Sequence, residues 1–285
     1  MIDVLIDTLL DALKLLPFLF ATYLLMEFIE HKAGEKSEII IRRAGRLGPA
    51  LGALLGLVPQ CGFSAGAASL YAGGLVSAGT LIAVFLSTSD EMLPILISEK
   101  VKASVLIEIL LIKFVTALIA GFAADIIIRL GRKGENERRI KSICDDDHCH
   151  CEEEGIFRSA LHHTLQIALF ILIVTFALNT AVHYIGENNL AKVFVNIPVA
   201  GCAVSSLVGL IPNCAASVVI TELYLSGIIG TGAMISGLLT GCGIGLLVLF
   251  RMNKHNAKEN LAFLLTLFVT GVVIGSVIEF LGITI

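Results

Sequence analysis

Apolar positions fall into ten runs along this chain, separated by short polar stretches. The runs lie at about 4–29, 47–58, 63–76, 79–97 and 104–128, and again at about 161–182, 199–211, 214–229, 232–250 and 261–285. A bilayer crossing takes roughly 20 such residues. The pattern predicts an all-α polytopic membrane protein of about ten hydrophobic helices, five in each half. Runs two and three of each half are too short for a crossing and are joined only by Pro59–Gly62 or Pro212–Ala215. Each pair is either two short tilted helices or one re-entrant hairpin. Both alternatives give an odd number of crossings per half, five or three. The two five-element repeats are therefore expected to be inverted, each carrying a Pro-broken short helical hairpin.

The halves repeat each other in sequence. Residues 56–86 align with residues 209–239 without a gap, at a constant offset of 153, and 11 of 31 positions are identical. Among the matches are Gly56, Pro59, Cys61, Ser64, Tyr71 and Gly74 with Gly209, Pro212, Cys214, Ser217, Tyr224 and Gly227. Two halves with a broken apolar segment at corresponding positions are the sequence mark of a secondary transporter. Residues 1–130 form the first membrane repeat, 131–158 a linker rich in Cys, His and acids, and 159–285 the second membrane repeat.

Composition agrees with the membrane assignment. The chain is 56% hydrophobic and 15% charged, with a mean hydropathy of +0.90. A soluble domain carries about 25% charged residues. The net charge of −4 is spread over loops and argues against a nucleic-acid partner. Asp3, Asp7 and Asp11 precede the first basic residue, Lys14, so the first span is expected to be retained rather than cleaved as a signal. Fifteen of the 20 basic residues lie in the loops at 32–46, 129–158 and 251–258. The positive-inside rule makes these loops cytoplasmic and puts both termini outside.

Three groups of residues carry chemistry. Pro59-Gln60-Cys61 and Pro212-Asn213-Cys214 free backbone carbonyls and add an amide and a thiol beside each break. Inverted symmetry would bring them together near the midplane, with Ser217 one turn on. The second group is Ser87-Thr88-Ser89-Asp90-Glu91, inside the fourth run. Carboxylates there cost about 2.5–3.5 kcal/mol each at a helix centre, and with hydroxyls beside them they suit a hard divalent cation. The second half carries Thr240-Gly241-Cys242-Gly243 instead, so the acids belong to one half only. The third group is Cys144, His148, Cys149, His150 and Cys151 of the central loop, among six acids. Such a cluster can supply four ligands to a thiophilic metal. Glu27 with His31, His183 and Glu222 are candidates for proton exchange. Asp125, Glu279 and His162-His163 are expected to be solvated at helix ends. Glu108 and Lys113 could form an ion pair, and Cys202 and Cys242 are expected to be buried packing residues.

The two Pro-polar-Cys breaks, the Ser87–Glu91 segment and the Cys/His loop together resemble the ten-helix heavy-metal exporter family, bacterial membrane proteins described as arsenic efflux proteins or manganese transporters. The resemblance covers the whole chain and implies efflux of a metal or metalloid across the bacterial inner membrane. Thiols at Cys61 and Cys214 favour a soft species such as trivalent arsenic. Asp90 and Glu91 favour a divalent cation such as Mn²⁺ and disfavour an oxyanion. No GxxxxGK[ST] motif occurs, so an ion gradient, most simply of protons, is the expected energy source. No cofactor is expected beyond the metal itself, as cargo and as loop ligand. The chain is read as a transporter rather than an enzyme. The alternatives are a permease for a non-metal solute and a membrane thiol oxidoreductase, the latter disfavoured because no CxxC pair falls in a span.

Overall fold

Short apolar helices separated by glycine, proline and hydroxyl residues can pack closely enough for backbones to touch, and that is how this molecule is assembled. The computed structural model describes helical positions between 9 and 24, and residues 47–58, 61–89, 92–131, 156–185, 198–254 and 256–283. Its elements after the first span are α1 (Gly48–Gly56), α2 (Cys61–Ala72), α3 (Ala78–Ser87), α4 (Met92–Ser98) and α5 (Ala103–Gly131), then α6 (Ile156–Ile185), α7 (Pro198–Gly209), α8 (Cys214–Leu225), α9 (Thr231–Thr240), α10 (Gly245–Met252) and α11 (Ala257–Phe280). Among the described residues every regular element is helical, as the apolar runs predict.

A stripe of small residues sets the first contact. Gly48, Gly52 and Gly56 on α1 meet Thr80, Val84 and Ser87 on α3 in that order, so the two helices run parallel. In the second half Gly201, Ser205 and Gly209 on α7 meet Ala233, Gly237 and Thr240 on α9 in the same order. Each of these positions lies 153 beyond its counterpart. Between the parallel pairs, α2 and α8 run back the other way. Their return turns place Gly74 and Gly227 at φ 76° and 73°, a left-handed backbone that glycine adopts without penalty.

These directions make a hairpin of each pair of short runs. At 1.5 Å per residue, α1 and α2 reach only about 14 and 18 Å, against a core of about 30 Å. With α1 running alongside α3 and α2 returning antiparallel to it, the pair is an antiparallel helical hairpin. The α7–α8 pair is the same, with its tip at 210–213.

One expectation is corrected here. The fourth and ninth runs are not continuous helices. The fourth ends as α3 at Ser87 and restarts as α4 at Met92; the ninth ends as α9 at Thr240 and restarts as α10 at Gly245. Thr88 and Ser89 therefore follow the end of a helix and do not lie within one. The physical cause is local. Ser87 Oγ donates to the carbonyls of Ala83 and Val84, and Thr88 Oγ1 donates to Val84 O at 2.7 Å, so the hydroxyls bond back to the last turn beside the closing ladder bond from Thr88 N–H to Val84 O. In the second half Gly243, at φ 53°, turns the chain instead.

The broken helices form the centre. The spans Ala78–Ser98 and Thr231–Met252 are 81% and 83% buried, whereas α5 and α11 are 28% buried and present Leu, Ile and Val outward. The pairings of elements come in equivalent couples: α1 with α3 and α7 with α9, α3 with α5 and α9 with α11, α2 with α10 and α8 with α4. The last couple and the α3–α9 contact join the halves.

Candidate functional site

The first helix of each hairpin ends beside the break of its own half. Gly56, the last residue of α1, has no room for a Cβ because Ser87 Oγ occupies the place, with Val84 O at 2.7 Å. Gly209, the last residue of α7, is blocked in the same way by Gly237 O and Thr240 Oγ1. The ten residues of α3 or α9 span about 15 Å before each break, about half the thickness of a hydrocarbon core. The halves also interlock there. A Cβ on Gly245, which opens α10, would fall 2.7 Å from Ser64 Cβ on α2 and 2.8 Å from Phe85 on α3.

Several predicted residues stand at this junction. Ser87, Ser89, Asn213 and Ser217 are all buried. Ser89 Oγ donates to Ser87 O at 3.2 Å, and the Asn213 carbonyl accepts from Ala216 N–H at 3.2 Å as α8 begins. Cys61 and Cys214 open α2 and α8, directly after the tips. Their side chains, and Gln60, Asp90 and Glu91 altogether, lie outside the described residues, as do Glu27, His31 and the loop ligands Cys144, His148, Cys149, His150 and Cys151. His183 belongs to the last turn of α6, its side chain again outside. Glu222 is exposed on α8, while its neighbours Thr221 and Leu223 are buried. Among the described residues no group of three or more His, Cys, Asp or Glu side chains comes together.

The structure overturns the expectation of solvation for two acids. Asp125, 8% exposed, accepts from Gly79 N–H at 2.8 Å and from Ser77 Oγ at 2.8 Å. Glu279 accepts from Gly232 N–H at 3.0 Å. Both carboxylates cap the N-terminus of a central helix. Glu108 and Lys113 do not pair as suggested. Glu108 is exposed on α5, while Lys113 is 1% exposed and its Nζ donates to the carbonyl of Leu238 on α9. Cys202 and Cys242 are buried, as expected.

Sequence reasoning missed Lys113 as part of the junction. The signal was its charge in an otherwise apolar span, which is costly unless a partner is present. A buried polar group around the turn between α10 and α11 was also missed. There Tyr71 donates its hydroxyl to Glu259, Asn253 Nδ2 donates to Asn260 Oδ1 at 2.8 Å, and Tyr23 OH lies 3.3 Å from Ser69 Oγ.

A family model described as "Putative, 10TM heavy-metal exporter" matches residues 1–165 and 130–257. No curated protein and no solved structure matches the chain significantly. The matched segments cover both hairpins, both broken helices and the central loop, and the helical fold agrees with the family's architecture. This chain belongs to the ten-helix heavy-metal exporter family.

Proposed function

We propose that the protein is a secondary active exporter that carries a divalent metal cation, of the Mn²⁺ class, out of the bacterial cytoplasm in exchange for protons. One observation carries the reading most: the helix that leads into each Pro-polar-Cys motif ends against the break of a central helix, Gly56 on Ser87 and Gly209 on Thr240. Broken helices at mid-depth expose carbonyls, and carbonyls with hydroxyls and carboxylates make a cage for a hard cation. In this reading Asp90 and Glu91 bind the cargo. Ser87, Ser89, Gln60, Asn213 and Ser217 complete the cage, and Cys61 and Cys214 flank it. Glu27, His31, His183 and Glu222 are the candidates for proton exchange.

Three crossings and one re-entrant hairpin in each half make the repeats inverted, because an odd number of crossings starts the second half on the opposite face. Both termini are then outside and the central loop is cytoplasmic, in keeping with the basic loops. Alternating access would rock one half against the other about the α3–α9 contact. A second reading has a specific support: thiols open both α2 and α8, which suits a thiophilic metalloid such as trivalent arsenic.

Metal tolerance separates these readings. In a strain lacking its own exporters, the protein should raise tolerance to Mn²⁺ and lower cell manganese. Asp90→Asn should abolish this with unchanged membrane abundance, and Cys61→Ser with Cys214→Ser should leave it. Protection from arsenite alone, lost in the double serine variant, would replace the first reading by the second. Unchanged manganese tolerance in Asp90→Asn would remove the carboxylates from the mechanism.

A further inference from the structure

The end of α9 has an unusual hydrogen-bond ledger. The helical ladder closes with Gly241 N–H donating to Gly237 O at 3.0 Å. The next step would bring Cys242 N–H to Leu238 O. Cys242 N–H instead donates to Thr240 O at 2.9 Å as the chain turns towards Gly243. Leu238 O thereby loses its ladder partner inside a buried region, where an unsatisfied carbonyl is costly. Lys113 supplies the donor from α5 of the other half. A helix C-terminus carries partial negative charge, so a cation is the matching partner for it. On α7, Ser205 Oγ is fully buried against Gly237 and has no hydrogen-bond partner.

We propose that the carbonyl end of α9 is a site for a small monovalent cation and that the Lys113 ammonium is its built-in occupant. The other half is different. The long helices correspond at an offset of 154, as Gly121 with Gly275 and Asp125 with Glu279 establish through their matching contacts at Gly79 and Gly232. That offset puts the buried Leu267 where Lys113 stands in α5. The end of α3 therefore receives no ammonium from α11, and it is followed by Ser89-Asp90-Glu91. One break is charged from within and the other is left open to cargo. This assignment does not rest on the identity of the transported species.

The test is the thermal midpoint of the full-length protein in detergent, in sodium, potassium, methylammonium or choline chloride at equal ionic strength. The wild type should show the same midpoint in all four salts. Lys113→Ala should melt lower in choline, and sodium or methylammonium at about 100 times its Kd should raise the midpoint by about 5 °C. Lys113→Met, which refills the volume without charge, should melt low in every salt. If Lys113→Ala folds only when purified in sodium or methylammonium, the site is supported. Equal midpoints for Lys113→Ala in all four salts, loss of folded protein in all four, or a Lys113→Met variant as stable as the wild type would each overturn the assignment.

Discussion

Asp125, near the end of α5, accepts the backbone N–H of Gly79 across 46 residues of sequence, at 2.8 Å. It thereby caps α3, whose N-cap Ser77 also donates to the second carboxylate oxygen. Glu279 does the same for α9 through Gly232, where the N-cap residue is a glycine with no side chain to offer. Each central helix thus has the positive end of its dipole held by an acid from the long helix beside it.

Removing that acid strands a buried donor. Asp125→Ala should cost about 1–3 kcal/mol, the range for leaving such a group unsatisfied. Glu279→Ala should cost less, because Glu279 is half-buried and water can replace it. Midpoints in detergent would measure both. A ranking with Glu279→Ala the more damaging would contradict the capping argument.

The glycine stripe makes a sharper contrast within one helix pair. A Cβ on Gly209 would strike the main-chain carbonyl of Gly237, which no rotamer change can move. A Cβ on Gly201 would meet nothing nearer than Ala233 Cβ at 3.9 Å. Gly201→Ala should therefore be neutral or stabilising by about 0.5–1 kcal/mol through helix propensity. Gly209→Ala should lower the yield of monodisperse protein severely. Equal behaviour of the two variants in size-exclusion profiles would refute the close packing of α7 on α9.

What could be read from the chain and what could not divide along physical lines. The ten runs, the two tips at Pro59 and Pro212 and the repeat are local signals, carried by hydrophobicity and by proline. The breaks after Ser87 and Thr240 hide inside apolar runs. Their marks, hydroxyls that bond back to the helix and a glycine at positive φ, leave hydropathy unchanged. The partners of Asp125, Glu279 and Lys113 lie 46, 47 and 125 residues away. No spacing rule could single these out, and helix-end position alone suggested water for the acids. For the candidate site, Ser87, Ser89, Asn213 and Ser217 are buried on elements that meet at the junction. The sequence marks these hydroxyls and this amide as polar residues in apolar runs; the break after Ser87 it does not mark.

Tyr71 and Tyr224 are identical positions in the repeat but not in their surroundings. Tyr71 donates to Glu259 and stacks edge-on against Phe263 at 5.1 Å. The 154 offset puts Val105 where Glu259 stands, so this acid belongs to one half only. Tyr71→Phe keeps the ring contact and loses a hydrogen bond to a charged group, worth about 1.5–3 kcal/mol. Combined with Glu259→Gln in a double-mutant cycle, it should show a coupling of about 1 kcal/mol or more. Additive effects would mean that the hydroxyl does not hold α2 to α11.

The central loop gives a prediction that depends on ligand chemistry alone. Cys144, His148, Cys149, His150 and Cys151 offer five nitrogen and sulfur donors within eight residues. Four such donors close a tetrahedral Zn²⁺ site without help from the membrane spans. The purified wild type should retain one equivalent of Zn²⁺ against a weak chelator, and Cys149→Ser with Cys151→Ser should retain none. Because thiols must lose their protons to bind, retention should fall as the buffer is acidified. Deleting residues 144–154 should shift the external metal concentration at which cells are protected and leave the protein in the membrane. If the deletion variant still holds the metal after chelation, the ligands lie elsewhere and the loop is only an acidic tether between the halves.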